Sequence, residues 1–368
     1  MHFSCSTTDM AAALTMVTRA IATRATSPMM EGVLLASCAE GLRLICTDLA
    51  LGIETHINAT FVEEGSIVLP GKLLNEIVRK LPNEMLTIRV NDQHKASLRC
   101  AGSRTTLAGF PGEEYPALPA VEEAELITLP QCMLKEMIQR TSFAIATDEM
   151  RPILTGSLFE TEENIFSVIA LDGFRLALRK EIFSNPLPKL SLVVPGKTVS
   201  ELAKILEDSE ESVHLSFGKT HMLADVGKTR VVARLLEGEF IRYQKILPTE
   251  WQTRVLVSKK ALDEAIDRAS LMAREGKTNL IRMHIEEGKM CITSNAELGE
   301  VREEIDIEFE GRELEIAFNV KYMSDTLRAI EDDEIVMRFN SNVSPCVICP
   351  PEGERYTYLV LPVRVFQA

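Results

Sequence analysis

The run Val194-Pro-Gly-Lys-Thr-Val-Ser-Glu-Leu places Gly196-Lys-Thr between an apolar stretch and a helix-like one. Those residue types could grip a phosphate, with the lysine on the charge and the hydroxyl on a magnesium ion. Such a loop also needs a glycine five residues earlier, so that consecutive backbone N–H groups wrap the phosphates. Ser191 stands there instead. Gly-Lys-Thr recurs at Gly218, Gly227 and Gly276, and the required positions hold Val213, Met222 and Leu271. The chain has no phosphate loop of this kind.

Other candidate chemistry is equally thin. The six histidines form no His-Glu-x-x-His, and no Gly-x-Ser-x-Gly nucleophile turn is present. Of the eight cysteines, only Cys346-Val-Ile-Cys349 has metal-like spacing. A single pair without a second pair or nearby histidines falls short of a zinc site, and this one lies in a strand-like run. The cysteines read as reduced core thiols, which suits the cytoplasm. Asp48 and Asp172 could be a carboxylate pair, but they occupy equivalent places in a repeat and read first as turn residues. No catalytic residue, metal or cofactor is expected.

The elements that carry these residues are more informative. Val68-Leu-Pro-Gly-Lys-Leu-Leu-Asn-Glu-Ile has almost the wording of the stretch around Lys197. Lys72, Lys197 and Lys321 each open a helix-like run, at separations of 125 and 124 residues. An acid follows four places on in each, as Glu76, Glu201 and Asp325. In the first run Leu73, Leu74, Ile77, Val78 and Leu81 are expected to form the buried stripe. A preceding helix is expected over residues 9–23, 130–143 and 259–272. A hairpin is expected around Glu286-Glu-Gly-Lys289 in the third copy. Turn residues follow at Asp48, Asp172 and Asn295. Tyr115, Tyr243 and Tyr358 each come shortly before a Leu-Pro pair, and polar linkers are expected near 120–128 and 249–257.

The chain is therefore one α+β domain of two helices plus antiparallel sheets, written three times, over 1–122, 123–250 and 251–368. Each copy is long enough for its own core. If consecutive copies join edge to edge, their sheets become continuous and two edges remain open at the chain's ends. Such edges invite pairing, and head-to-tail association into a ring would cover them.

A chain of 368 residues with 46% hydrophobic and 26% charged residues is an ordinary globular protein. The run Met10–Val17 has no basic segment before it and reads as an amphipathic helix, not a leader. No stretch reaches the length of a membrane span. The net charge of −14 repels polyanions on average. However, the six helix windows together carry +6, which leaves −20 on the rest. If the helices share a face, it could receive a polyanion through loose contacts that are blind to sequence.

With three copies, lysine-led helices and the passages Leu171-Asp-Gly-Phe-Arg-Leu-Ala, Leu236-Glu-Gly-Glu-Phe-Ile-Arg-Tyr-Gln-Lys-Ile-Leu-Pro and Tyr358-Leu-Val-Leu-Pro-Val-Arg-Val, the chain resembles the bacterial DNA polymerase III beta subunit family, the replication sliding clamps. The resemblance covers essentially the whole length. It implies the DNA clamp fold, with two chains forming a six-domain ring around duplex DNA. It also implies a processivity factor that tethers the DNA polymerase III alpha subunit, the clamp loader, other polymerases and repair proteins. By this resemblance Arg24, Lys72, Arg79, Arg151, Lys197, Lys277, Lys321 and Tyr322 face DNA. A pocket for short linear peptides falls on Leu154, Gly173, Phe174, Arg175, Leu176, Ile241, Lys245, Ile246, Leu359, Val360, Leu361, Pro362, Val363, Arg364 and Val365. The homodimer seam falls on Leu107, Leu271 and Met272.

The family often has histidine at Phe174, proline at Ile241 and arginine at Lys245, and this chain runs on through Phe366-Gln-Ala368. These departures bear on which peptide the pocket prefers. Burying about 300 Å² of apolar peptide surface would contribute roughly 7 kcal/mol gross. Association and ordering costs reduce that to weak, exchangeable binding. The competing reading is a three-domain protein scaffold that never meets DNA; a salt-dependent DNA affinity separates the two.

Overall fold

A computed structural model describes residues 1–22, 27–121, 124–148, 150–276 and 279–364. Six α-helices appear among them: α1 (Thr7–Val17), α2 (Gly71–Val78), α3 (Gln131–Gln139), α4 (Gly196–Ile205), α5 (Lys259–Glu275) and α6 (Val320–Arg328). Each falls where the repeat places it. Side chains cap several of their starts. Ser6, Ser258 and Asn319 accept hydrogen bonds from the backbone N–H groups of Asp9, Ala261 and Lys321, satisfying donors the first turn leaves free.

By its internal contacts the chain forms two compact units. The first comprises Met1–Lys135 with Glu201–Leu235, the second Glu136–Ser200 with Leu236–Ala368. The middle repeat thus gives strands to both.

The first unit holds a five-stranded antiparallel sheet in the order Thr60–Glu63, His2–Ser6, Met85–Val90, Lys95–Cys100, Ser103–Ala108. Its nine-stranded sheet runs Phe110–Pro111, Ser66–Pro70, Gly32–Cys38, Gly41–Thr47, Leu51–Ile57, Thr229–Arg234, His221–Val226, Ser212–Phe217, Glu125–Pro130. The join between repeats is the pairing of Leu51–Ile57 with Thr229–Arg234, where Gly52 faces Val232 and Glu54 faces Arg230.

The second unit repeats the scheme. Its nine-stranded sheet runs Ser191–Pro195, Gly156–Glu162, Ile165–Leu171, Arg175–Ile182, Tyr356–Val360, Cys346–Cys349, Glu334–Phe339, Thr253–Ser258, Glu308–Gly311. Here the join pairs Arg175–Ile182 with Tyr356–Val360, and Leu176 faces Leu359. A four-stranded sheet follows the order Gly299–Asp306, Lys289–Ala296, Leu280–Glu286, Leu314–Asn319. The expected hairpin is present, with Glu286 opposite Lys289. Helix α5 buries Leu262, Ala265, Ile266, Ala269 and Ala273, at helical spacing, in one core with Met283, Ile292, Phe318, Met323 and Leu327.

Three local expectations change. Leu73 is 47% exposed, whereas Leu74 and Val78 are buried, because α2 is only eight residues long and turns one narrow stripe inward. Asn295 lies inside the Lys289–Ala296 strand opposite Glu300, so the turn comes two residues later. The later halves of both expected linkers are strands, Glu125–Pro130 and Thr253–Ser258. Tyr115 and Tyr243 sit at 3₁₀ turns, but Tyr358 lies within a strand. All eight cysteines are free, and six of them are buried. Burial, with a smaller effect from Asp9, pushes the Cys5 thiol up to about 12. The same cause, desolvation, lifts Cys46 and Cys346.

Candidate functional site

The Leu171–Arg175 turn carries the clearest site geometry. Asp172 Oδ1 accepts hydrogen bonds from the backbone N–H groups of Phe174 (2.9 Å) and Arg175 (3.0 Å). Asp48 does the same for Ala50 and Leu51, so both aspartates are turn formers, as the repeat suggested. Gly173 has φ +93°, a conformation that side chains rarely adopt. The turn thereby projects Phe174, which is 56% exposed.

Beneath it lies an apolar cluster. Leu154, Leu176 and Leu359 are buried together with Leu158, Ile169, Leu171, Leu178, Val193 and Tyr243. Ile241, Leu247 and Leu361 pack on this cluster while remaining partly open. The backbone N–H of Leu361 donates to the carbonyl of Phe174 (2.8 Å), holding the C-terminal segment against the turn. Ile246 and Val363 are exposed apolar residues on the neighbouring segments, and Lys245 and Arg364 are exposed cations. Pro362 is half-buried. Val360, next to Leu359 on its strand, turns to the opposite face of the sheet and joins the unit's main core. Val365 lies outside the described residues.

Arg175 also turns away from Leu176. Its guanidinium is almost fully buried, bonding Asp172 (2.9 Å) and Asp325 on α6 (2.7 Å). It lies over the rings of Tyr322 (4.7 Å) and Phe143 (5.3 Å). Phe174 in turn stacks on Tyr322 with ring centroids 5.7 Å apart. Burial alone would raise the Asp325 carboxyl; hydrogen bonds from Arg175 and Lys321 outweigh it and hold it below its ordinary value. Tyr322 is thus a wall of the Phe174 turn as well as a residue of α6. In the sequence Asp325 stands out only as a repeated acid, and Phe143 carries no signal of a place in this site.

The helix cations are distributed unevenly. Lys72, Lys197 and Lys321 are exposed, each at the second residue of its helix. A cation there opposes the positive end of the helix dipole, so helix stability does not explain three of them. Lys321 pairs with Asp325. Arg79 and Arg151 are exposed and make no ion pair among the described residues. Several other helix cations are compensated within their units, including Arg19 by Glu201, Lys135 by Asp208, and Arg140 by Glu331. Arg24 and Lys277 lie outside the described residues.

Of the three residues that the resemblance places at a seam, Leu107 is buried on the sheet-edge strand Ser103–Ala108. In the other unit Leu271 is 64% exposed on α5. Met272 is half-buried and reaches toward Gly299, at the start of the edge strand Gly299–Asp306. Leu298, unflagged by the sequence, is also exposed there. Among the described residues no helix is long and apolar enough to cross a membrane.

Three domain models of the DNA polymerase III beta subunit match the chain: the N-terminal domain over 1–119, the central domain over 128–241 and the C-terminal domain over 244–364. The beta sliding clamp of Bacillus subtilis is 35% identical over 362 residues, 95% of this chain and 96% of that protein. The beta sliding clamp of Staphylococcus aureus is 34% identical over 358 residues, 95% of each. The crystal structure of the Bacillus subtilis DNA polymerase sliding clamp superposes with a TM-score of 0.96 at 34% identity, covering 100% of both chains. The chain belongs to the DNA polymerase III beta subunit family, the sliding clamps.

Proposed function

We propose that two copies of the chain close into a six-domain ring around duplex DNA and hold a polymerase on its template, with no catalytic step of their own. The domains are taken as 1–122, 123–250 and 251–368. The observation that carries the ring is the state of the sheet edges. Both nine-stranded sheets run through a repeat boundary, while Ser103–Ala108 and Gly299–Asp306 are outermost in their sheets. A second copy would supply the missing neighbour to each, with Leu107, Leu271 and Met272 at the seam.

Lys72, Lys197 and Lys321 would meet phosphates from the first turns of their helices. Arg24, Arg79, Arg151, Lys277 and Tyr322 complete the DNA-facing set. The cluster beneath Phe174 would seat an apolar side chain of a short peptide from the polymerase alpha subunit, the clamp loader, or another polymerase or repair protein. The site of action would be the cytoplasm.

Retention on DNA of two topologies tests the reading. Loaded on nicked circular duplex by a clamp loader with ATP, the protein should stay bound through a high-salt wash. Linearising the DNA should release it within minutes. Equal retention on both forms would contradict encirclement and favour a scaffold or an ordinary DNA binder.

A further inference from the structure

The cluster beneath Phe174 has a counterpart in the first unit, 124 residues earlier in the chain. Leu34 faces Ile45 across two strands there, as Leu158 faces Ile169 in the second unit. At each join the next strands bring Val232 opposite Gly52 and Leu359 opposite Leu176. Tyr115 closes the first group as Tyr243 closes the second. Its hydroxyl accepts from the Thr47 N–H (3.0 Å) and donates to the Gly32 carbonyl (3.3 Å), so its ring is held in place. Leu34, Ile45, Tyr115, Leu118, Leu223 and Val232 line a groove of about 530 Å³.

The two sites differ in ways that set a ligand. Gly52 stands where the second unit has Leu176, so the floor is lower, and Leu118 leans over it. Arg43 and Glu54 stand where the second unit has Ser167 and Leu178, giving this groove a charged end. His56 Nε2 lies 3.4 Å from Glu54, which also faces Arg230 across the strands, and Arg230 pairs with Asp225 (2.9 Å). Arg43 has no such partner among the described residues. It is half-buried, and its Nε is shielded from solvent without a hydrogen bond. The rest of this half-buried guanidinium lines the groove, where a carboxylate would pair with it strongly.

We infer that this groove is a second peptide site, and that its occupant is an extended segment of a partner protein with a Leu- or Phe-sized side chain followed two residues later by Asp or Glu. The spacing comes from the strand. Arg43 and Ile45 lie on one face two residues apart, about 6.6 Å along the strand, and residues i and i+2 of an extended ligand have the same separation. The inference stands apart from the pocket beneath Phe174, where Ser167 occupies the place of Arg43.

The test uses the full chain with labelled Ile, Leu and Val methyl groups, titrated with acetyl-Phe-Ala-Glu-amide and with its neutral analogue acetyl-Phe-Ala-Gln-amide. The Glu peptide should shift the Leu34, Ile45, Leu223 and Val232 methyls saturably. The Gln peptide should bind there roughly tenfold more weakly, the contribution of one charge-assisted hydrogen bond. Arg43→Gln should abolish the difference between the peptides, and Arg43→Lys should keep part of it. The methyls of Leu176 and Leu359 report the other pocket independently. Shifts confined to those two would overturn the second site and leave the first standing. Silent first-unit methyls at millimolar peptide, equal binding of both peptides, or indifference to Arg43→Gln would each overturn it too.

Discussion

Arg175 is the residue on which the Phe174 turn depends. It joins Asp172 to Asp325 from a nearly buried position. Arg175→Ala would leave Asp172 without its cation and Asp325 with Lys321 alone. The cost should be about 3 kcal/mol in urea unfolding, the range for truncating one member of a buried pair. The same contacts predict a pH dependence. Because the folded-state pKa of Asp325 lies below its unfolded value, its stabilisation is complete above the unfolded value and is lost as pH falls through the folded one. Wild type should therefore lose stability from about pH 4 downward. Asp325→Asn should be less stable at neutral pH and show a shallower acid slope, as followed by thermal melts. Phe174 is exposed, so Phe174→Ala should leave the fold intact while weakening a bound polymerase-type peptide by about 1 to 2 kcal/mol in calorimetry. The acid four places after each lysine was legible in the sequence. Its partner was not, because Arg175 is 150 residues from Asp325 and only the fold brings them together.

At the scale of elements, the three lysine-led helices make a sharp prediction. Lys72 sits at the start of α2, where a negative charge suits the helix dipole better. Lys72→Glu should leave stability unchanged or raise it by up to about 1 kcal/mol. Yet it should weaken DNA binding and reduce the salt slope of log affinity by about 0.9, the value for one lost phosphate contact. A variant that bound DNA as well as wild type would remove Lys72 from the DNA-facing set. All six helices were legible because their apolar period and their repeat spacing agree. Leu73 was misplaced because a short apolar run cannot say which of two adjacent leucines faces inward. Strand joins such as Gly52 with Val232 were invisible, since they pair segments far apart in sequence whose register is set by neighbouring strands.

For the whole molecule, the tripled sequence raises continuous sheets only on the condition that consecutive copies join edge to edge, and the two nine-stranded sheets meet that condition. It did not foretell that the middle repeat's strands would divide between two compact units. That division follows from where the long sheets run, which repeat spacing alone does not encode. The net charge of −14 makes any DNA contact a local property of the helix faces. The central claim, closure of a ring by a second copy, is tested most directly by the solution mass from light scattering over a wide dilution series. The account predicts a stable species of about 82 kDa, twice the 41.0 kDa chain. A species of 41.0 kDa at the highest concentrations would contradict it, because the strands Ser103–Ala108 and Gly299–Asp306 would then have no partner.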